Sequence, residues 1–318
     1  MRVGIIIPAR NEAAALRQVL AELPRSLVHE VIVVDNGSTD NTRDVLEALR
    51  HGSDGKLRCL SEPRVGKPCA VNTALREARG GLIVLTDDDI ASDPDWLMAI
   101  WRAFQETNAE ALAGRILPLW VDGRPEGLTD QVLVRLGALG LVDFGAERFM
   151  VDQYPKQFWW VGGNIALRRG VLDRLGGYDE RLMCGEDTEL FSRCRASGVK
   201  ILYEPSAVVR HRVGAERLTP AYLKGWHRRS GYYRALTAPW QKYHLVTLLS
   251  FSWYRDTLRL AKLWGKAGGD SAERRWERLA YACRLRACWS QWRHRLQLWP
   301  RWCRLVVTGR ATLRGPQS

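Results

Sequence analysis

The chain has 318 residues, is 46% hydrophobic and carries a formal net charge of +13, so it can bury a large core as one big domain or as a domain with an appendage. Its seven cysteines (Cys59, Cys69, Cys184, Cys194, Cys283, Cys288 and Cys303) are odd in number and show no CxxC spacing. That excludes a disulfide framework and a zinc finger, and it points to reduced thiols in a cytosol. The charge is uneven: residues 1–209 hold 25 Lys and Arg against 30 Asp and Glu, whereas residues 210–318 hold 23 against 5. Five tryptophans precede residue 210 and nine follow it. A slightly acidic domain is therefore expected to give way to a basic, Trp-rich tail.

In chain order, an apolar run at 3–7 reads as the first strand. It is too short for a signal peptide's core and leads straight into polar residues. Residues 11–23 have helical spacing through Ala15, Leu16, Val19, Leu20 and Leu23. Strands are predicted at 31–34, 57–60 and 82–85, and helices at 40–50, 67–79 and 94–105. Continuous apolar strands separated by helices predict an α/β domain with a mostly parallel, Rossmann-like sheet covered on both faces. In such sheets ligands bind beyond the carboxyl ends of the strands. Pro8-Ala9-Arg10-Asn11-Glu12, Asp35-Asn36-Gly37-Ser38 and Asp87-Asp88-Asp89 each follow a strand directly, so the three polar clusters should share one rim.

A strand that ends in three carboxylates calls for a compensating cation. Hard oxygen ligands select Mg²⁺ or Mn²⁺, ions that commonly sit on phosphates as well. A solvated helix-capping turn is the competing reading. Asp35 can accept from a ribose hydroxyl or a base N–H, while the Asn-Gly and Ser-Thr-Asp that follow it also suit a turn and a cap. Lys67 opens a helix behind Gly66 and can meet a base or phosphate there, although a lone Gly-Lys is a weak signal and a solvated lysine is the ordinary reading. Trp159 and Trp160 precede the Gly162-Gly163-Asn164 turn. Aromatic faces and close-approach glycines suit an acceptor sugar, with the core as the alternative for one of the two tryptophans. Glu186 and Asp187 start a helix at 187–196, where they can interact with its dipole or hold a general base. His211 follows a strand-like stretch at 207–210 and can complete a metal's coordination or lie on the surface.

Taken together, these residues resemble the family 2 glycosyltransferases with the GT-A fold. The match runs over Ile5–Glu12, Val33–Asp40, Gly66-Lys67 with Asn72, Asp87–Asp89, Gly162–Asn164 and Gly185–Asp187, and it covers about residues 1–215. The resemblance implies a nucleotide-sugar half at 1–110 and an acceptor half at 111–215. It places Pro8, Ala9, Arg10, Asn11, Glu12, Asp35 and Gly37 on the nucleotide, Lys67 on the base, Asp87 on the ribose, and Asp88 on the donor. Asp89 is implied as the main Mg²⁺ or Mn²⁺ ligand and His211 as a further one. Asp187 is implied as the catalytic base with Glu186 in support, and the 159–164 segment as the acceptor contact. The reaction would be an inverting single displacement from a nucleotide-sugar, with UDP as the expected nucleotide. The acceptor would be a lipid-linked or cell-envelope glycan. The QxxRW motif of processive synthases is absent, which favours addition of one sugar. A non-catalytic scaffold that binds nucleotide-sugars or anionic polymers is the alternative from another class. A nucleotidyltransferase would need a Gly-rich triphosphate loop after the first strand, and 8–12 is not one.

The tail, residues 216–318, reads as mainly helical. Leu285, Cys288, Trp289, Trp292, Leu296 and Trp299 recur at helical spacing, with Arg284, Arg286, Arg293 and Arg295 between them. Pro300 should end or kink that helix. No stretch reaches the roughly 18 apolar residues of a membrane span. A basic helix with an aromatic face fits the surface of an anionic membrane, which implies a cytoplasmic enzyme held at the inner face of the membrane. Packing on the catalytic domain or on a second copy in a homo-oligomer is the other reading, and no nucleic-acid motif is present. Residues 217–234, with Trp226, Tyr232 and Tyr233, are expected near the acceptor entrance.

Overall fold

The computed structural model describes residues 2–24, 27–53, 55–153, 158–237, 257–258, 271–307, 311–312 and 315–316. It contains two compact units. One comprises Met1–Leu119 and Gly140–Arg212, the other Trp120–Leu139 and Val213–Ser318. The second unit takes in residues 120–139 as well as the basic tail, a segment that the sequence alone groups with the acceptor half.

The first unit opens with β1 (Val3–Ala9), α1 (Ala13–Glu22), β2 (Val28–Asp35), α2 (Thr42–His51), β3 (Leu57–Ser61), α3 (Lys67–Glu77) and β4 (Leu82–Thr86). β1 lies between β2 and β4, and β3 flanks β2, all in parallel. Ile5, Ile6, Ile7, Ile32, Val33, Ile83 and Val84 are fully buried, which is why these strands read as unbroken apolar runs. Each such side chain contributes roughly 1.5–3 kcal/mol by leaving water, so the strand tips stand on a stiff base.

After the acid triplet the structure departs from the sequence reading. A short strand, β5 (Ile90–Ser92), follows at once, and α4 (Trp96–Glu106) begins two residues later than expected. Asp93 closes the intervening turn, its carbonyl accepting from the Trp96 N–H at 3.0 Å. β6 (Ala111–Trp120) comes next, and α5 (Asp130–Leu136) belongs to the second unit. β7 (Phe149–Met150), β8 (Asn164–Arg168), α6 (Arg169–Leu175), α7 (Glu186–Ala196) and β9 (Ile201–Val213) complete the first unit. The strand order is β3-β2-β1-β4-β8-β6-β9-β5, with β7 on β9. The parallel strands β1 to β4 are extended by β8, which runs antiparallel to β4 and β6, and β9 runs antiparallel to β5 and β7.

Three registers position the site. Ala9 pairs with Asp35, Thr86 with Asn164, and Ile90 with His211. The tips of β1, β2 and β4 therefore share one rim, the start of β8 meets it, and β9 brings His211 beside the end of the acid triplet.

The second unit is built on α8 (Pro220–Thr237) and α9 (Ala272–Val307). The two helices approach closely at Gly231, where an added Cβ would lie 2.2 Å from the Ala287 carbonyl oxygen. Ser290 donates its hydroxyl to the Arg228 carbonyl at 2.8 Å. The buried side of α9 carries Ala280, Cys283, Ala287 and Ser290. From the predicted apolar stripe, Cys288 and Trp289 instead point outward. α9 also does not end at Pro300 but runs on to Val307. Proline costs the helix one N–H donor and crowds the preceding turn, and the chain remains helical beyond it. The side chains of Trp292, Arg295, Leu296, Trp299, Tyr232 and Tyr233 lie outside the described residues. Among the described residues no helix is long and apolar enough to cross a membrane.

Candidate active site

The loops after β1 and β2 are tied to each other. Asn11 adopts a left-handed backbone, φ 58°, which asparagine tolerates better than most residues. Its Oδ1 accepts from the Thr39 N–H at 2.8 Å, and its own N–H donates to Ser38 Oγ at 3.0 Å. The Glu12 N–H donates to Thr42 Oγ1 at 3.0 Å, and Asp35 Oδ1 accepts from the Ser38 N–H at 3.0 Å. Gly37 turns the second loop with φ +67°. Pro8 and Ala9 are buried and offer backbone only, whereas Arg10 is exposed. Asn36, which no pattern singled out, is 4% exposed. Its Nδ2 donates to the Glu62 and Arg64 carbonyls and its Oδ1 accepts from the Gly66 N–H. One asparagine thus fixes the loop that delivers Lys67.

Lys67 Nζ forms an ion pair with Asp87 Oδ1. Burial alone would lower the lysine pKa, but the neighbouring carboxylates of Asp87 and Glu186 outweigh it and hold the pKa above its usual value. Gly162 and Gly163 form the floor beside this pair. A Cβ on Gly162 would lie 3.2 Å from Lys67 Nζ, and one on Gly163 would lie 3.1 Å from Asp87 Oδ2. The glycine pair therefore makes room for the ion pair, a requirement separate from sugar binding.

Asp88 is raised well above the usual carboxylate range, first by burial and then by the charges of Asp89, Asp87 and Glu12. This crowding leaves the end of β4 under-compensated. Asp89 Oδ2 and His211 Nε2 converge at 2.9 Å across 122 residues of sequence, and the Arg212 N–H holds the Asp89 carbonyl at 2.9 Å. Among the described residues no group of three or more His, Cys, Asp or Glu side chains is placed to hold a metal ion by itself. An oxygen and a nitrogen ligand on a carboxylate-rich rim fit an open cation site, whose remaining positions water and ligand oxygens would fill.

Asp187 lies in the first turn of α7, next to Glu186, which is 8% exposed. Asp187 Oδ2 accepts from the Gly162 N–H at 3.3 Å and Oδ1 from the Thr188 N–H at 2.6 Å. Burial raises the pKa of both carboxyls. The Asp187 charge further raises Glu186, to about 7, against the lowering pull of Lys67. The two N–H donors favour an ionised Asp187, so Glu186 is the member of the pair that keeps its proton longer. For stability the sign follows directly. A carboxyl raised on folding contributes stability below its unfolded pKa and loses it as pH climbs through about 7. Glu186→Gln is therefore expected to gain on the order of 2–3 kcal/mol relative to the parent at pH 8 and almost nothing near pH 4, as read from denaturant unfolding at the two pH values.

Two expected acceptor residues face inward. Trp160 is 2% exposed and offers no open face to a sugar. Its Nε1–H instead donates to the Asp187 carbonyl at 2.7 Å and anchors the start of α7. Asn164 is 1% exposed. Its Nδ2 donates to the Arg115 and Ala207 carbonyls and its Oδ1 accepts from Trp96 Nε1, so every polar atom of the side chain is engaged by the sheet and α4. Trp159 does face outward, 39% exposed, and it packs edge-on against Phe144 with ring centres 4.6 Å apart.

The profile of "Glycosyl transferase family 2" matches residues 4–176, more than half of the chain. The chain belongs to that family. It is 28% identical over 241 residues to a pre-mycofactocin glycosyltransferase of Mycobacterium tuberculosis, a match covering 74% of this chain and 47% of the relative. It is 27% identical over 220 residues to the probable glycosyltransferase YdaM of Bacillus subtilis, covering 65% of this chain and 50% of the relative. The matched part thus spans about half the length of these curated relatives. Among solved structures, the mannosyltransferase PcManGT from Pyrobaculum calidifontis, in complex with GDP-Man and Mn²⁺, superposes with a TM-score of 0.53 at 20% identity, covering 97% of this chain and 79% of that one. S. aureus TarS 1-349 gives 0.51 at 15% identity, covering 95% and 92%. The α/β sheet of this family 2 member is the GT-A fold.

Proposed function

We propose that this protein is an inverting glycosyltransferase. It moves one sugar from a nucleoside-diphosphate sugar to a hydroxyl of a lipid-linked or envelope glycan. One observation carries this reading: the Asp187 carboxylate sits on the N–H of Gly162 while Asp87, in the strand-end triplet, lies against the adjacent Gly163. A base and a donor-side acid cluster therefore share a two-residue floor. The loops bearing Asn11, Asp35 and Gly37 take the nucleotide, with the Lys67–Asp87 pair toward its ribose. The exposed face of Trp159 takes the acceptor.

Asp89 and His211 would hold a divalent cation, Mg²⁺ or Mn²⁺, which when bound supplies positive charge against the departing diphosphate. Asp187 accepts the proton of the acceptor hydroxyl. The freed oxygen pair forms the new bond to the anomeric carbon as the bond from that carbon to the diphosphate oxygen breaks. Glu186, its pKa pushed up to about 7, keeps a share of its proton near neutral pH and so eases the charge beside Asp187, and Trp160 holds the Asp187 backbone in place. A single displacement inverts the anomeric centre. Proton NMR of the first product formed from an α-linked donor is expected to show a β-glycoside, and an α-glycoside would contradict the assignment of Asp187 as base.

The protein would carry out this transfer while held on an anionic membrane surface. Arg286, Trp289 and Arg293 are exposed at i, i+3 and i+7 of α9, with Trp289 56% exposed. A cationic stripe with an indole suits acidic lipid headgroups. Reversing charge in an Arg286→Glu, Arg293→Glu double variant is expected to abolish flotation with phosphatidylglycerol vesicles, and unchanged flotation would remove the membrane from the proposal.

A further inference from the structure

Tyr178 stands out among the groups around the glycine floor. The residue is 5% exposed, and its backbone is clamped by one side chain: Asn72 Oδ1 accepts from the Tyr178 N–H at 2.8 Å and Asn72 Nδ2 donates to the Tyr178 carbonyl at 2.8 Å. Yet its Oη has no hydrogen-bond partner among the described residues. A buried hydroxyl left this way is destabilising, and tyrosines of this burial usually find a partner. The atom also points at the site. A Cβ on Gly162 would lie 3.1 Å from Tyr178 Oη and 3.2 Å from Lys67 Nζ. The phenol therefore converges with Lys67 on the residue whose N–H holds the Asp187 carboxylate.

What should meet this Oη follows from its neighbours. Burial, first of all, keeps the phenol protonated well above its usual pKa, with Lys67 opposing and Asp187, Glu186 and Asp87 adding to the rise. At neutral pH the group acts as an O–H donor. Three of those four neighbours are carboxyls, so a phosphate oxygen would meet repulsion that a neutral hydroxyl would not. The nucleotide loops lie at the tips of β1 and β2, whereas Tyr178 shares Gly162 with the proposed base. We infer that Tyr178 Oη donates a hydrogen bond to a hydroxyl oxygen of the transferred sugar and so takes part in selecting that sugar. This rests on the nucleotide-sugar reading above, and it adds a donor-sugar contact that no motif assigned.

Tyr178→Phe removes the oxygen alone and leaves the ring to fill its space. The test compares parent and variant by melting without ligand and by calorimetry in Mn²⁺ with UDP, GDP, UDP-glucose, UDP-N-acetylglucosamine and GDP-mannose. The unliganded variant is expected to melt at or above the parent temperature, because an unsatisfied hydroxyl has been removed. Affinity for the free nucleotide should stay within about twofold, while affinity for the matching nucleotide-sugar falls roughly five- to tenfold. The KM for the donor should rise by a similar factor. A drop of several degrees without ligand would overturn the inference by showing a structural partner for the hydroxyl. Equal weakening of nucleotide and nucleotide-sugar, or no weakening of either, would overturn it too. If the parent protein bound none of the probes, the nucleotide-sugar reading itself would fail before the variant was considered.

Discussion

Asp187→Asn is expected to lower turnover by about 10²- to 10⁴-fold, the range of a lost general base, while the protein folds and binds donor as before. The substitution keeps the side chain's shape and leaves a carbonyl oxygen to accept from the Thr188 or Gly162 N–H, which hold the native carboxylate at 2.6 and 3.3 Å. It removes the ability to take a proton, together with the negative charge and one of the two acceptor oxygens. The parent's pH profile carries the same signature. Burial raises the Asp187 pKa, and Glu186 beside it titrates near 7, so activity should rise with pH through an inflection above the ordinary carboxylate range. A general base is inactive when protonated, so the acid limb must fall toward low pH. In Asp187→Asn the residual rate should lose that limb. Initial-rate assays of parent and variant across pH 5–9 check both points, and undiminished activity in the variant would remove Asp187 from the mechanism.

Asp89→Ala should lower the affinity for a nucleoside diphosphate in Mn²⁺ by about a hundredfold or more, with little change in EDTA. The size follows from what Asp89 supplies. It is the member of the triplet whose carboxylate meets His211 at 2.9 Å, and even the residues that only support a metal ligand typically cost 10- to 100-fold in affinity when replaced. Asp87 cannot substitute for it, because its Oδ1 is engaged by Lys67. His211→Gln should lose less, since it removes a neutral ligand and leaves the carboxylate. Calorimetric titration of UDP and GDP into parent and variants, with and without Mn²⁺, measures the difference. Equal affinities in the two metal conditions for the parent would mean that Asp89 and His211 do not hold a cation that touches the ligand.

The rim was legible in the sequence because buried parallel strands leave unbroken apolar runs whose polar tips mark where each strand stops. That logic places Asp35 and Asp87–Asp89 correctly at the ends of β2 and β4. It does not reach contacts made by register. β5 is only three residues long, too short for a periodic signal, yet its pairing with β9 sets His211 beside Asp89. Composition also fails to tell the two faces of the 159–164 segment apart. Trp159 and Trp160 are adjacent and chemically identical, but one is 39% exposed and the other 2%. Asn164 looks like a ligand contact in sequence and serves as a clamp that ties β8 to β6, β9 and the start of α4. Asn36 could have been noticed as a polar residue at the tip of a buried strand. Its buried amide forms three hydrogen bonds with the 62–66 loop, and only the fold reveals them. Pro300 does not end α9: a proline's penalty of about 3 kcal/mol is a local tendency, and the helix runs on past it.

A thermal-shift screen of the full chain against UDP-, GDP-, dTDP- and CMP-sugars, each with Mn²⁺ and with EDTA, reads out donor binding at the rim. The sugars of one nucleotide class are expected to stabilise the protein in Mn²⁺ but not in EDTA, by about 2.7 kcal/mol at a ligand concentration a hundred times the dissociation constant. A folded protein that none of the four classes stabilises in either condition would contradict the claim that the tips of β1, β2 and β4 form a nucleotide-sugar site.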